Sequence, residues 1–243
     1  MEPRTEHPID VAGMRVGYGS LAGVGTGDAA TSGADGVAEH LDSTWLTGDP
    51  PWLGLFERWL GEAIAARIPE PNAMVVGTVG ADGRPATRTV LCKGFSAAGI
   101  TFFTGYSSAK GEALAAHPFA ALTFPWIALE RQVHLRGAVT KADAQTTRAY
   151  WESRPRGSQI SAYASAQSRP IAGRAELEEL AARTAQRFGG LDGDEPIPVP
   201  PEWGGYLVDV DYAEFWQGRA DRLHNRVRAV RTDDGWDVDR LQP

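Results

Sequence analysis

Cysteine is almost absent: Cys92 is the only one in 243 residues, so no internal disulfide and no multi-cysteine zinc site can form. The five histidines are scattered and none shares a metal-ligand spacing such as HExxH, so no metal site is expected. The longest apolar runs, such as ALTFPWIAL, fall well short of the roughly 20 residues that span a bilayer. MEPRTEHPID carries no apolar stretch of the kind a signal peptide needs. No GxGxxG or Walker sequence occurs, which leaves Rossmann and P-loop sites without support. Basic residues are outnumbered: 24 Lys and Arg against 31 Asp and Glu give a net charge of −7, which repels nucleic acid unless the cations cluster. These absences point to a soluble cytoplasmic protein with neither membrane nor nucleic-acid partner.

What is present suits a globular fold. Apolar residues make up 42% and charged residues 23%, enough to bury a sizeable core in one large domain or two small ones. Residues 1–50 stand apart as an arm: GSLAGVGTGDAATSGADGVAEH is rich in small residues and lacks aromatics and periodicity. From Pro51 onward (51–243) the pattern is that of a folded domain. Leu53, Phe56, Leu60 and Ile64 recur at helical spacing, and Pro69 and Pro71 end that helix. AMVVGTV, a turn at Asp82-Gly83, RPATRTVLCKGF and ITFFTG then read as strands. SAKGEALAAH reads as a short helix, and FAALTFPW and RQVHLRGAVTKA as further strands. Residues 143–190 are helical. Strands return in GGYLVDV, in EFWQG and in a last hairpin turning on Asp234-Gly235. Short connections favour an antiparallel barrel with helices inserted late, a mainly β, α+β fold.

Three clusters stand out for chemistry. In Arg88-Thr-Val-Leu-Cys-Lys93, strand alternation puts Arg88, Val90 and Cys92 on one face and Thr89, Leu91 and Lys93 on the other. Cations at both ends of an apolar strand suit anions, although a barrel strand with charged ends reads the same way. Cys92, within this apolar strand, reads as a structural thiol. Ser153-Arg-Pro-Arg-Gly-Ser-Gln159 sets two guanidinium groups and two hydroxyls around a turn before a helix, a pattern that fits phosphate as well as a solvated basic turn. Trp216 to Arg226 holds three Arg, one His and one Trp, a positive pocket that suits a small anion.

In order and spacing, PNAMVVGTV, RTVLCKGF, GITFFTGYSSAKG, LERQVHLRG, YWESRPRGSQI, ASAQS, WGGY, EFWQGRADRLHNR and DRLQP resemble the pyridoxine/pyridoxamine 5′-phosphate oxidase family. The resemblance runs from about Trp52 to Pro243. It implies a split β-barrel that dimerises, with FMN held between two subunits. It also implies oxidation of pyridoxine or pyridoxamine 5′-phosphate to pyridoxal 5′-phosphate by hydride transfer from C4′ to the flavin, with O2 as acceptor and H2O2 as product.

By the same resemblance, Arg88 and Lys110 meet the FMN phosphate with Gln167 and Ser168 alongside, and Thr89 also belongs to the cofactor site. Val90, Leu91, Phe103 and Thr104 border the flavin, Gln132 hydrogen-bonds it, and Trp216 and Arg226 complete the cofactor site. Lys93 borders FMN and, with Tyr150, Arg154 and Ser158, grips the substrate phosphate. Arg222 and His224 hold the pyridine ring and are the implied catalytic residues. Arg15 and Tyr18 match a lid segment in the arm, with Val16 and Gly17 replacing its middle. Ala109 stands where many members carry Arg. The rivals are a phenazine-type split-barrel oxidase and a non-catalytic carrier of FMN or pyridoxal phosphate.

Overall fold

A computed structural model describes Tyr18 and residues 40–243 of the chain. Arg15, assigned above to a lid, lies outside the described residues. A single nine-stranded antiparallel sheet forms the frame, in the order β2-β1-β5-β6-β7-β4-β3, with β8 beside β7 and β9 beside β8. Its strands are β1 (Ala73–Val79), β2 (Pro85–Leu91), β3 (Gly94–Ser96), β4 (Gly99–Gly105), β5 (Phe119–Trp126), β6 (Arg131–Lys141), β7 (Trp203–Gln217), β8 (Asn225–Thr232) and β9 (Gly235–Leu241).

β7 makes this frame split. The sequence pattern suggests two strands here, GGYLVDV and EFWQG, but the chain runs straight through as fifteen residues. β6 pairs with it along its length, across a bulge between Arg136 and Gly137. On its other edge Trp203–Val208 pairs with β4, and Tyr212–Gln217 pairs with β8. Gly137 permits the bulge, because a Cβ there would overlap the Asp209 carbonyl.

Helix α1 (Trp52–Ala65) plugs the barrel with Trp52, Leu55, Phe56, Trp59 and Ala63. That stripe differs from the expected one: Leu53 and Leu60 are only partly buried and Ile64 is exposed. Both stripes have helical spacing, and the larger rings decide which faces inward. Phe56 meets Phe124 edge-on at 4.9 Å and Trp59 meets Phe215 at 5.3 Å. The helix stops at Ala65, before either proline, where Arg67 takes a left-handed φ of 55°. The last hairpin turns on Asp233-Asp234, with Thr232 paired to Gly235.

Residues 40–50, placed in the arm on composition, pack on the barrel. Leu41 is fully buried, and its N–H donates to Gln217 Oε1 at 3.0 Å. Helices α2 (Ala109–Ala116), α3 (Ala144–Ser153), α4 (Arg156–Ala164) and α5 (Arg174–Arg187) complete the fold. A second, smaller core of Trp151, Ile160, Ile197 and Trp203 binds the helices to β7.

Candidate active site

Edge strand β2, its continuation to Lys93, the end of β4 and the start of α2 enclose a cavity of about 580 Å³. Residues from both faces of β2 reach it: Arg88, Thr89, Val90 and Leu91, followed by Lys93. Alternation separates such residues in a central strand, but an edge strand can present both faces to a cleft that wraps around it. Cys92 points into the core instead. Burial pushes its thiol up to about 11, and it behaves as a structural residue.

The cations of this cavity are held by neutral groups. Arg88 Nη1 donates to Thr78 Oγ1 at 2.7 Å and to the carbonyls of Ala86 (3.0 Å) and Val76 (3.2 Å). Lys110 is buried, and its Nζ donates to Thr104 Oγ1 at 3.0 Å and Ser108 Oγ at 3.5 Å. Ser108 caps α2 by accepting from Gly111 N at 3.3 Å, which sets Lys110 in the first helical turn. Gly111 is needed there because a Cβ would overlap the Tyr106 carbonyl.

The opposite wall is aromatic. Phe103 stacks on Tyr150 at 4.0 Å and on Trp203 at 5.6 Å. Lys93 Nζ lies 5.8 Å from the Tyr150 ring centre, and the Arg154 guanidinium lies 4.9 Å from that of Trp203. Arg154 Nη2 donates to the Ser158 carbonyl at 2.7 Å, while its Nε is buried with no partner among the described residues.

Arg88, Lys93, Lys110 and Arg154 thus line one cavity to which no described Asp or Glu contributes. Burial lowers the pKa of Arg88 and of Arg154. Burial, and then the charge of Arg88, lowers that of Lys110. Concentrated, partly dry positive charge without a carboxylate suits an anionic ligand. Gln167 and Ser168 close one side. Gln167 Oε1 accepts from Thr104 Oγ1 (2.9 Å) and Gly105 N (3.2 Å), so its NH2 end is left to donate. Ser168 holds a left-handed φ of 70°.

The remaining candidate residues gather elsewhere. Gln132 and Trp216, paired across β6 and β7, line a second cavity with Tyr18. Tyr18 meets Trp216 edge-on at 5.7 Å and His224 at 5.4 Å. The Arg219 N–H donates to His224 Nδ1 at 3.1 Å, so in the neutral ring Nε2 carries the proton. Arg222 is exposed, at a left-handed φ of 62° next to Asp221 at 55°. Arg226 pairs with Glu214 at 2.7 Å. No residue lines both cavities. Ser158 is absent from the first lining, and its carbonyl fixes Arg154.

Several contributors escaped the sequence reading. Trp203, stacked on Phe103, and Ser108, which caps α2 and holds Lys110, support the cavity wall without lining it, and Ser-x-x-Gly ahead of a helix was the available signal for Ser108. Arg169 ties the Gln167–Ser168 loop to α2 through the Ser107 carbonyl at 3.1 Å and through Glu112. Arg156 resembles Arg154 in sequence but binds the carbonyls of Gly190 (2.9 Å), Glu195 (2.7 Å) and Phe188, a structural clamp. Among the described residues no cluster of metal-ligating side chains occurs, and no helix is long and apolar enough to cross a membrane.

A split antiparallel barrel with a cation-lined cleft at its edge strand defines the class of split-barrel flavoproteins. The PhzG structure from Burkholderia lata 383, in complex with tetrahydrophenazine-1-carboxylic acid, matches at TM-score 0.73 and 29% identity, covering 79% of this chain and 92% of that one. An FMN-binding, pyridoxamine 5′-phosphate oxidase-related protein from Nostoc punctiforme PCC 73102 shares the fold at TM-score 0.63 and 20% identity, over 79% of this chain and 97% of its own. The family description "Pyridoxamine 5′-phosphate oxidase" matches residues 60–187, and "Pyridoxine 5′-phosphate oxidase C-terminal dimerisation region" matches residues 203–243. A pyridoxine/pyridoxamine 5′-phosphate oxidase of Mycobacterium sp. (strain KMS) is 53% identical over 96% of both chains. One of Rhodococcus jostii (strain RHA1) is 49% identical over 96% of this chain and 99% of its own. The chain belongs to the pyridoxamine 5′-phosphate oxidase family of FMN-binding enzymes.

Proposed function

We propose that this enzyme oxidises pyridoxine 5′-phosphate and pyridoxamine 5′-phosphate to pyridoxal 5′-phosphate, as a homodimer with one FMN per chain and O2 as electron acceptor. The observation that carries the reading is the cavity lined by four cations and no described carboxylate. Two phosphate dianions, one from cofactor and one from substrate, supply the charge that such a cavity lacks.

The donor set fits FMN. Arg88, Lys110, Thr89, Gln167 and Ser168 would hold its phosphate, with Val90, Leu91, Phe103 and Thr104 along the ring system. FMN held there would supply the hydride-accepting and O2-reducing chemistry at substrate C4′, giving H2O2, and with the amine substrate water would then release ammonia. Lys93, Tyr150, Arg154 and Ser158 take the substrate phosphate. Gln132, Trp216, Arg226, Arg222 and His224 lie outside this cavity in their own chain, so they serve the cavity of a second copy. The dimerisation region matched over residues 203–243 contains four of these five. Arg222 orients the substrate ring and steadies charge at C4′, and the Nε2–H of His224 donates to the ring's polar edge. Tyr18 packs over His224 and Trp216, where a cover for the bound ring belongs.

The likeness to PhzG favours a second reading, oxidation of a phenazine precursor. Lys93 and Arg154 weigh against it, because they add cations beyond those that FMN phosphate needs. A non-catalytic carrier would bind FMN without turnover. The test is to purify the chain, record its visible spectrum and measure peroxide with both B6 phosphates. A yellow protein that produces peroxide with either is expected. A flavin-loaded protein inert toward both would overturn the reading.

A further inference from the structure

β6, β7 and β8 present one polar face on which every side chain can be placed by register. Gln132, Trp216 and Arg226 form one row, and His134, Glu214 and Arg228 form the next. Val133, Phe215 and Val227, which alternate with them, are fully buried in the core. Glu214 is the acid at the centre of this face and is itself buried. Both of its oxygens are engaged: Oε1 accepts from Arg226 Nε at 2.7 Å and Oε2 from Tyr212 OH at 2.8 Å. Those bonds outweigh the cost of burial and hold the carboxyl below its usual pKa, so it stays ionised. Arg226 Nη1 is bound in turn by the Gln242 carbonyl at 2.9 Å.

Two of the three guanidinium nitrogens are therefore fixed before any ligand arrives, and Nη2 is the one without a partner among the described residues, on the strand position paired with Trp216. Arg228 has its own acid, Asp239, and does not compete for Glu214.

We propose that Glu214 is a positioning residue for flavin binding: with Tyr212 it fixes Arg226 in the orientation in which Nη2 meets FMN. The inference rests on the assignment of Arg226 to the cofactor made above. A mobile arginine would lose rotamer freedom each time FMN bound, and a preset one does not. Both oxygens of the buried Glu214 are taken by Arg226 and Tyr212, so its effect on FMN passes through Arg226.

The test is FMN titration of the full-length apoprotein, followed by quenching of flavin fluorescence, in a double-mutant cycle of Glu214→Gln and Arg226→Ala. Glu214→Gln is expected to weaken FMN about tenfold in the wild-type background and to have no further effect beside Arg226→Ala. Equal losses in both backgrounds, or none in either, would overturn the inference. Wild-type affinity in Arg226→Ala alone would remove the assignment of Arg226 and the inference with it, while leaving the oxidase reading to its own assay. If Glu214→Gln does not fold, Tyr212→Phe removes one of the two bonds to the carboxylate. It should give a smaller loss of the same dependence on Arg226, and wild-type affinity in that variant would contradict the proposal.

Discussion

Lys110 Nζ donates to Thr104 Oγ1 at 3.0 Å, and the same hydroxyl donates to Gln167 Oε1 at 2.9 Å. A buried ammonium held by hydroxyls keeps its charge for a ligand, because no described carboxylate has claimed it. Lys110→Met should therefore weaken FMN ten- to a hundredfold, as expected for a charge-assisted bond worth about 1.5–3 kcal/mol. Riboflavin, which lacks the phosphate, should lose little. Titrations of both flavins into wild type and variant check this, and equal losses would contradict the role.

Arg154 and Arg156 lie two residues apart and should fail in different ways. Arg154→Ala should lower kcat/KM for the phosphorylated substrate by about two orders of magnitude and leave the poor turnover of free pyridoxine unchanged. Arg156→Ala breaks three bonds to the carbonyls of 188–195 and should lower the melting temperature while sparing FMN affinity. Kinetics with both substrates, run beside thermal melts, separate the two.

That contrast also marks where the sequence stops being legible. Ser-Arg-Pro-Arg-Gly-Ser announces phosphate chemistry, but only the start of α4 decides which guanidinium turns toward the cavity and which toward backbone carbonyls. The barrel strands were readable because period-two burial on β5, β6 and β8 is nearly unbroken. The unity of β7 was hidden by Asp211-Tyr212-Ala213, which separate two strand-like runs in the sequence, yet Tyr212 and Ala213 pair with both β6 and β8. The inward face of α1 was ambiguous because two apolar stripes share one spacing. The separation of Gln132, Trp216 and Arg226 from the cation-lined cavity depends on strands far apart in the chain, and no local pattern encodes it.

Proton linkage gives a third expectation. Burial, and then Arg88, hold Lys110 below its usual value of 10.5. As pH rises through that lowered value, the empty cavity loses its ammonium and affinity for a phosphate falls. A bound dianion restores the proton, so FMN binding should take up a proton in the window just below 10.5. The unfolded chain binds more protons than the folded one in the same window, so this group adds stability to the apoprotein as pH rises across it. Calorimetric titration in two buffers of different ionisation enthalpy measures the uptake. Lys110→Met should abolish it, and an unchanged uptake would assign the proton to another group.

The central claim is that one chain's cation-lined cavity is completed by Gln132, Trp216 and Arg226 of a second copy. Hybrid dimers test it most directly. Lys110→Met disables the cavity wall and Arg226→Ala the opposing wall, so each variant alone should bind FMN weakly. A dimer containing one chain of each variant has one site with both lesions and one site with neither. The account predicts that purified hybrids recover one tight FMN per two chains, measured by flavin absorbance against protein concentration. Hybrids with no tight site would contradict it, because each chain would then be building its flavin site alone.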